Sequence, residues 1–325
     1  MITVFTPTYN RAYIIEKLYE SLCWQTCKDF EWLVVDDGSR DNTKELINSF
    51  MAEGRVNIRY IYQENGGKQR AINRGVHSAK GDLFFIVDSD DFITSDAIEK
   101  ISSSWNEIRN NGKYAGLCYR KIRMSTLEVI GDSFPCSVLD SDSLTLAYHY
   151  NLNIDKAEVF ITNILKRFPF PEIEGEKFVP EALVWYRIAS AGFKLRCIDE
   201  GVYCCEYLPD GLTQNFHQNL KRNNRGFYLF VSARESVLDN LRPLPADLQS
   251  AVRTTAQRMD WSRPDDSLPF ERTVWHAEEP RWSYRHGQIR TRWSHHLPGS
   301  MDYCPSLLWP FAQACRQTCT EKKSG

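Results

Sequence analysis

The feature that most constrains this chain is an alternation in its first 109 residues. Four short strand-like runs, residues 2–6, 31–36, 56–62 and 83–87, are separated by stretches that repeat apolar residues every three or four positions. Residues 12–26 place Ile14, Ile15, Leu18, Leu22 and Cys23 on one helical face, with Asn10 as a candidate N-cap. Helices are predicted again at 43–52, starting near Asn42 or Thr43, at 68–79, closed by Gly81, and at 95–109, where Thr94 or Ser95 can cap. The run 83–87 (LFFIV) is apolar without alternation, as a strand covered on both faces would be. Strand and helix alternating at this spacing specify an α/β fold. Its sheet is mostly parallel, crossed over right-handedly and sandwiched by helices.

Farther along the pattern loosens. Residues 114–130 read as two strands of a hairpin, 140–150 as a helix, and 157–165 as an apolar run. Residues 180–191 form an amphipathic helix with Pro180 near its start and Gly192 at its end, and 193–207 look like strands. From about 253 to 296 there is no apolar period to build from. The expected organisation is an α/β half at 1–110, a less regular half of the same domain at 111–225, and a helical then irregular tail at 226–325.

Composition removes several classes of function. Forty basic side chains against 42 acidic ones leave a net charge of −2, which argues against a nucleic-acid binder. Hydrophobic residues at 42% suffice for a sizeable core. No apolar run reaches the roughly 18 residues of a membrane span. The start lacks the basic and apolar segments of a secretory leader, so a cytoplasmic protein is expected. The ten cysteines include no Cys-x-x-Cys and no Cys/His spacing for zinc, so they read as reduced thiols.

In open parallel sheets, ligands bind at the carboxyl ends of the strands. Here those ends carry Thr6-Pro7-Thr8-Tyr9-Asn10-Arg11, then Asp36-Asp37-Gly38-Ser39, then Asn65-Gly66-Gly67-Lys68, then Asp88-Ser89-Asp90-Asp91. Any one of these is an ordinary turn composition. Four in succession at one sheet edge build a site with an aromatic ring, cations and several carboxylates. A calcium loop is the rival for the last, since Asp88, Asp90 and Glu99 stand at its positions 1, 3 and 12. It fails because Phe92 takes the fifth position and Ile93 replaces the required glycine.

PTYNR, VVDDGSRDNT, NGGKQRAINRG and VDSDD, in that order and spacing, resemble the family 2 glycosyltransferases of the GT-A fold over roughly residues 1–215. The resemblance implies a nucleotide-sugar donor, inversion at the anomeric carbon, and Mn2+ or Mg2+. It implies a donor site drawn from Thr6, Pro7, Tyr9, Arg11, Asp37, Lys68, Asp88, Ser89 and Asp90. By the same resemblance Asp91 or Asp90 holds the metal, and Asp88 or Asp90, in an Asp-x-Asp motif, reaches the ribose or diphosphate. Oxygen-only ligands suit either metal, and the diphosphate supplies some of them. Asp37 can accept the N3–H of uracil, with Tyr9 against the ring. Lys68, or Arg70, follows two glycines and opens a helix, where a cation and free amides favour phosphate. The plain alternatives are an Asp36-Asp37 pair that only holds the Gly38 turn and a solvated surface lysine.

An inverting transfer needs one general base. In this family it belongs to an acidic pair opening a helix that ends in arginine. Aligning Arg187 places Glu181 in that position, but Pro180 replaces the first acid. That departure leaves Glu176, on a segment expected to be mobile, as the rival base. The simpler role for Glu181 is a first-turn acid complementing the helix dipole. The turn at 207–213 is a candidate lid or a surface turn, and His217, Lys221 and Arg222 are candidate diphosphate contacts. The expected partners are the donor and a glycan or lipid-linked glycan acceptor of a bacterial surface polymer, reached peripherally at the inner membrane face. A sugar-phosphate nucleotidylyltransferase shares this sheet type, but PTYNR stands where its Gly-rich basic loop belongs. A non-catalytic nucleotide-sugar binder is the other alternative, kept open by Pro180 and the tail.

Overall fold

A computed structural model describes residues 1–207 apart from 153, and 211–233 apart from 213, 216, 217, 220, 221, 224 and 231. It also describes the backbone of 281–285 and 288–292. The chain divides into two units, Met1–Met259 and Asp260–Gly325.

The first unit runs β1 (Ile2–Thr8), α1 (Glu16–Cys23), β2 (Phe30–Asp36), α2 (Thr43–Glu53), β3 (Ile58–Tyr62), α3 (Lys68–Ser78), β4 (Leu83–Ile86), β5 (Phe92–Ile93) and α4 (Ala97–Ile108). It continues with β6 (Tyr114–Arg123), β7 (Val138–Ser141), α5 (Ser143–Tyr148), β8 (Lys156–Ile161), α6 (Thr162–Leu165), α7 (Ala182–Ser190) and β9 (Lys194–Cys205). These strands make one sheet in the order β3-β2-β1-β4-β8-β6-β9-β5, with β7 on β9. The first four strands are parallel, as expected. Beyond β4 the sheet is mixed: β8 lies antiparallel to β4 and β6, whereas β6 and β9 are parallel.

Each face of the sheet carries its own core. Val4, Leu18, Trp32, Val34, Phe50 and Phe85 fill one side; Phe5, Leu33, Ile72, Phe84, Phe160 and Trp185 fill the other. Neighbours in β1 thus point to opposite layers, the period-two logic of a strand covered on both faces. Burying each such side chain contributes about 1.5–3 kcal/mol. Phe5 stacks on Phe84 with ring centroids 4.8 Å apart. A Cβ at Gly75 would lie 2.2 Å from the Phe5 ring, so α3 reaches the sheet only because it has no side chain there.

Three expectations are corrected. Residues 114–130 do fold back on themselves, but the second strand shrinks to one bridge: β6 is a ten-residue strand, and only Val129 pairs antiparallel with its Ile122, flanked by Arg123 N donating to Glu128 O and Ile130 N to Lys121 O. Residues 194–205 are likewise one strand of 12 residues. Asn10 does not cap α1, whose N-cap is Ile15. Asn10 instead sits at φ 54°, donating its N–H to Ser39 Oγ and accepting Arg40 N–H at Oδ1, so it ties the first strand-end loop to the second.

Cys118, Cys197, Cys204 and Cys205 are buried free thiols acting as small hydrophobes. No helix among the described residues is long and apolar enough to cross a membrane. In the second unit, β10 (Arg281–Arg285) pairs antiparallel with β11 (Gln288–Arg292), where no element was expected. The local signals are the two-residue spacing of Trp282 and Tyr284, and of Ile289 and Thr291, on either side of Gly287.

Candidate active site

The loop after β2 is the most heavily bonded part of the site. Asp36 accepts Ser39 N–H at 2.7 Å and Tyr60 O–H at 2.6 Å, fixing its own turn. Asp37, 4% exposed, does more. Its Oδ1 accepts from Gln63 Nε2 (2.7 Å) and Gly66 N (2.9 Å), and its Oδ2 from Asn65 Nδ2 (3.1 Å) and Gly67 N (2.7 Å). One carboxylate therefore shapes the glycine loop that precedes α3. Gly67, at φ 98°, provides the conformation this needs.

Of the β1 residues, Thr6 turns inward: its hydroxyl is fully buried and accepts Trp32 Nε1–H at 2.9 Å. That hydroxyl is committed to the core, which corrects its placement among donor contacts. Pro7 is buried in the strand, whereas the Tyr9 ring is 46% exposed at the mouth. Arg11 is near enough to favour the charged forms of Asp88 and Asp90.

At the centre, Lys68 bridges two carboxylates. Its Nζ lies 2.7 Å from Asp88 Oδ1 and 2.8 Å from Glu181 Oε1. Burial opposes the lysine's charge, but Asp88 and Glu181 outweigh it and hold its pKa above the ordinary lysine range. Asp88 is likewise driven below the usual carboxylate range by Lys68 and Lys121, against its burial. The first residue of α3 thus meets the residue opening α7 across the end of β4. Their separation of more than a hundred positions explains why the chain's order hides the contact.

Beside this triad, Ser89 is buried, and Asp90 and Asp91 carry less compensation. Burial, then Asp88, raises the pKa of Asp90. Burial pushes Asp91 to about 7; Asp88 and Asp90 add to the rise while Lys121 opposes it. Tyr203 donates its hydroxyl to Asp91 Oδ2 at 2.6 Å and accepts Asp88 N–H at 3.0 Å, so it braces the acidic turn from β9. Lys121 Nζ sits 4.2 Å from the Tyr203 ring centroid. A cavity of about 30 Å³ lies beneath, lined by Asp88, Lys121, Lys156, Glu158, Glu181 and Tyr203 among others, with room for one water or hydroxyl. Burial raises Glu158 to about 7 against the pull of Lys156 and Lys121. Lys121, Lys156, Glu158 and Tyr203 carry no motif. Lys156 opens β8 and the other three lie within β6, β8 and β9, so no strand-end turn announces them.

Glu176 has a different occupation. It is 6% exposed, and its two oxygens accept Arg225 N–H and Gly226 N–H, each at 2.8 Å. It holds the start of the helical segment 225–230. Arg70 donates to the carbonyls of Glu176 and Ile173, both at 2.7 Å, so the segment around Glu176 is pinned rather than loose. The expectation of a mobile segment is corrected. Arg70 serves this contact, which leaves Lys68 as the cation turned toward the acidic turn.

Among the described residues, no group of three or more His, Cys, Asp or Glu side chains forms a ready metal centre. The donor set still fits a hard divalent cation. Asp90 and Asp91 offer only oxygen, and burial, with Asp88 close by, raises the pKa of both, so a bound cation would be favoured there. The lid candidates Leu208, Pro209, Asp210 and Thr213, and the candidates His217 and Lys221, lie outside the described residues.

Residues 3–128 match the family model described as Glycosyl transferase family 2. The chain is 38% identical over 102 residues to Glycosyltransferase GlyG of Streptococcus pneumoniae serotype 4, covering 31% of this chain and 34% of the relative. It is 34% identical over 146 residues to GlyA of the same organism, covering 44% and 21%. The matches thus span about a third or less of these relatives' length. Among solved structures, S. aureus TarS residues 1–349 in complex with UDP-GlcNAc superposes with a TM-score of 0.55 at 16% identity, covering 91% of this chain and 98% of that one. At that identity the likeness speaks for the fold. The matched segment spans β1 to β6 and so contains the four strand-end motifs and Lys121. Residues 3–128 are thus similar to the family 2 glycosyltransferases, and the fold is that of the GT-A structures the chain superposes on.

Proposed function

We propose that this protein moves one sugar from a uridine-diphosphate sugar to a hydroxyl of a growing surface glycan, with inversion and with Glu181 as the general base. The observation that carries the reading is the Lys68 bridge between Asp88 and Glu181. It brings a phosphate-binding cation, a carboxylate of the Asp-x-Asp turn and a helix-anchored carboxylate to one point. That is the minimum an in-line displacement at a nucleotide-linked carbon requires.

Lys68 and the first amides of α3 meet the diphosphate, where negative charge grows as the bond to the sugar breaks. When the diphosphate occupies Lys68, Glu181 is released from its ion pair and can accept the proton of the incoming hydroxyl. Its backbone position on α7, whose Leu183, Val184 and Ile188 are buried, holds the first turn rigid. Asp90 and Asp91 would hold Mn2+ or Mg2+, which when bound supplies Lewis-acid neutralisation of the leaving diphosphate. Tyr203 keeps Asp91 in place for that role. Tyr9 offers its exposed ring to the base. The four bonds at Asp37 make its contribution to uridine recognition the shaping of the loop beneath the nucleotide, alongside any direct contact with N3–H.

TarS has been solved with UDP and with UDP-GlcNAc, which supports a uridine nucleotide as the first donor to test. The curated relatives include a chondroitin synthase and a hyaluronan synthase of Pasteurella multocida, each 36% identical over 99 residues, which supports a glycan acceptor. A lipid-linked acceptor would place the protein peripherally at the inner membrane face. The test is a screen of nucleotide sugars for metal-dependent hydrolysis of the donor. Release of uridine diphosphate from one sugar nucleotide is the expected result. Tight nucleotide retention with no release from any donor would make the protein a binder and overturn the assignment.

A further inference from the structure

We propose that Glu176 is a positioning residue: with Asn223 it fastens a strap, residues 173–178, over the glycine loop, and the strap seats Lys68. Its consequence for donor affinity rests on the function proposed above.

The strap is tied on both sides. On its outer side Asn223 Oδ1 accepts the N–H of Lys177 (2.7 Å) and of Phe178 (3.1 Å), and Asn223 is only 8% exposed. Glu176 accepts the first amides of segment 225–230. Gly226 is required there, because a Cβ would come within 2.9 Å of the Phe178 carbonyl oxygen. On its inner side the strap meets the loop directly. A Cβ on Gly67 would lie 2.0 Å from the Lys177 carbonyl oxygen, so the two backbones are in contact. Lys177 Nζ donates to Asn65 Oδ1 at 2.7 Å, and Arg70 binds the Glu176 and Ile173 carbonyls.

The loop is thus held from below by Asp37 and from above by the strap. The strap in turn is held by Asn223, Arg225 and Gly226, some 50 residues later in the chain. Glu181 follows the strap by three residues from Phe178 and meets Lys68 from the other side. One clasp therefore sets both ends of the Lys68–Glu181 pair. The glutamate that family spacing leaves as a rival base has another task, with both of its oxygens already filled by backbone N–H groups.

The test uses the full chain and its Glu176→Ala, Glu176→Gln and Asn223→Ala variants. Hydrogen exchange is read at the amides of Gly66, Gly67 and Lys68, and uridine diphosphate with Mn2+ is titrated by calorimetry. Loss of a charge-assisted hydrogen bond predicts about tenfold faster exchange at the loop and about tenfold weaker binding in Glu176→Ala. Glu176→Gln, which keeps one acceptor oxygen, should recover part of both. Asn223→Ala carries the same readouts if Glu176→Ala does not fold. Unchanged loop exchange in a folded Glu176→Ala or Asn223→Ala would overturn the clasp. Wild-type protein that binds no uridine diphosphate would sink the donor assignment while leaving the exchange result to decide the clasp.

Discussion

On the side of the site built by β1 to β4, polar groups lie in the turns directly after parallel strands. On the other side, β6, β8 and β9 deliver Lys121, Glu158 and Tyr203 from mid-strand. The first arrangement is coded locally: each turn is a short contiguous string next to the strand that aims it. The second depends on register. Glu158 reaches the cavity because β8 runs antiparallel to β4 beside the acidic turn, with Val159 opposite Phe85. Tyr203 reaches Asp91 because β5 pairs Ile93 with Tyr203 itself. The difference teaches that the binding chemistry of this protein is written in its turns and the tuning of that chemistry in its pairings.

The largest expected effect lies on the turn-coded side. Asp91→Ala should abolish transfer, and EDTA should silence the wild type until Mn2+ or Mg2+ is restored. Full activity in EDTA would remove the metal from the account and leave basic side chains such as Lys68, Lys121 and Arg11 as the counter-charges. Next comes Lys68→Ala. Losing a charge-assisted contact to phosphate is worth about 1.5–3 kcal/mol, so donor KM should rise about ten- to a hundredfold. An unchanged KM would mean that Lys68 serves only to pair Asp88 with Glu181.

On the pairing-coded side the effect is smaller and shows as a pH dependence. The folded protein holds a proton on Glu158 up to about pH 7, against an ordinary value of 4.5. A raised folded pKa gives stability that is fully present below pH 4.5 and is lost as pH rises through about 7. Glu158→Gln removes that loss. Its melting temperature relative to wild type should therefore climb between acidic and mildly alkaline pH. A constant difference across that range would show that Glu158 is not buried against its charge. The smallest effect belongs to the second unit. Deleting the chain from Asp260 should leave the melting of the first unit unchanged, because the division falls at Met259. Loss of cooperative melting on that deletion would show that the first unit needs the tail.

The same comparison explains what could be read before the fold was seen. The four parallel strands and the motifs at their ends were legible because periodicity and turn chemistry act over a few residues. Helix α1 was placed four residues too early because Asn10 looks like a cap. Its side chain answers instead to Arg40, thirty positions away. The hairpin expected at 114–130 is reduced to a single bridge, Ile122 to Val129, for a related reason. Strand β6 continues through Lys121 because β9 pairs with it to Arg123, and no local signal announces that partner. Asp37 was read for its chemistry toward a base, and the structure adds four loop bonds that spacing could not show. Glu176 and Glu181 stand five positions apart in one acidic stretch, and only the fold separates them. One faces Lys68 and the other closes a helix start.

That separation is the central claim, and one paired measurement tests it: turnover and uridine diphosphate affinity in Glu181→Gln beside Glu176→Gln. Loss of a general base costs about 10²- to 10⁴-fold in rate. Glu181→Gln should lose turnover by that order with nucleotide affinity nearly unchanged. Glu176→Gln should weaken the nucleotide by no more than about tenfold and keep most of its turnover. The reverse pattern, a dead Glu176→Gln with full affinity beside an active Glu181→Gln, would contradict the account and make Glu181 a helix-start acid.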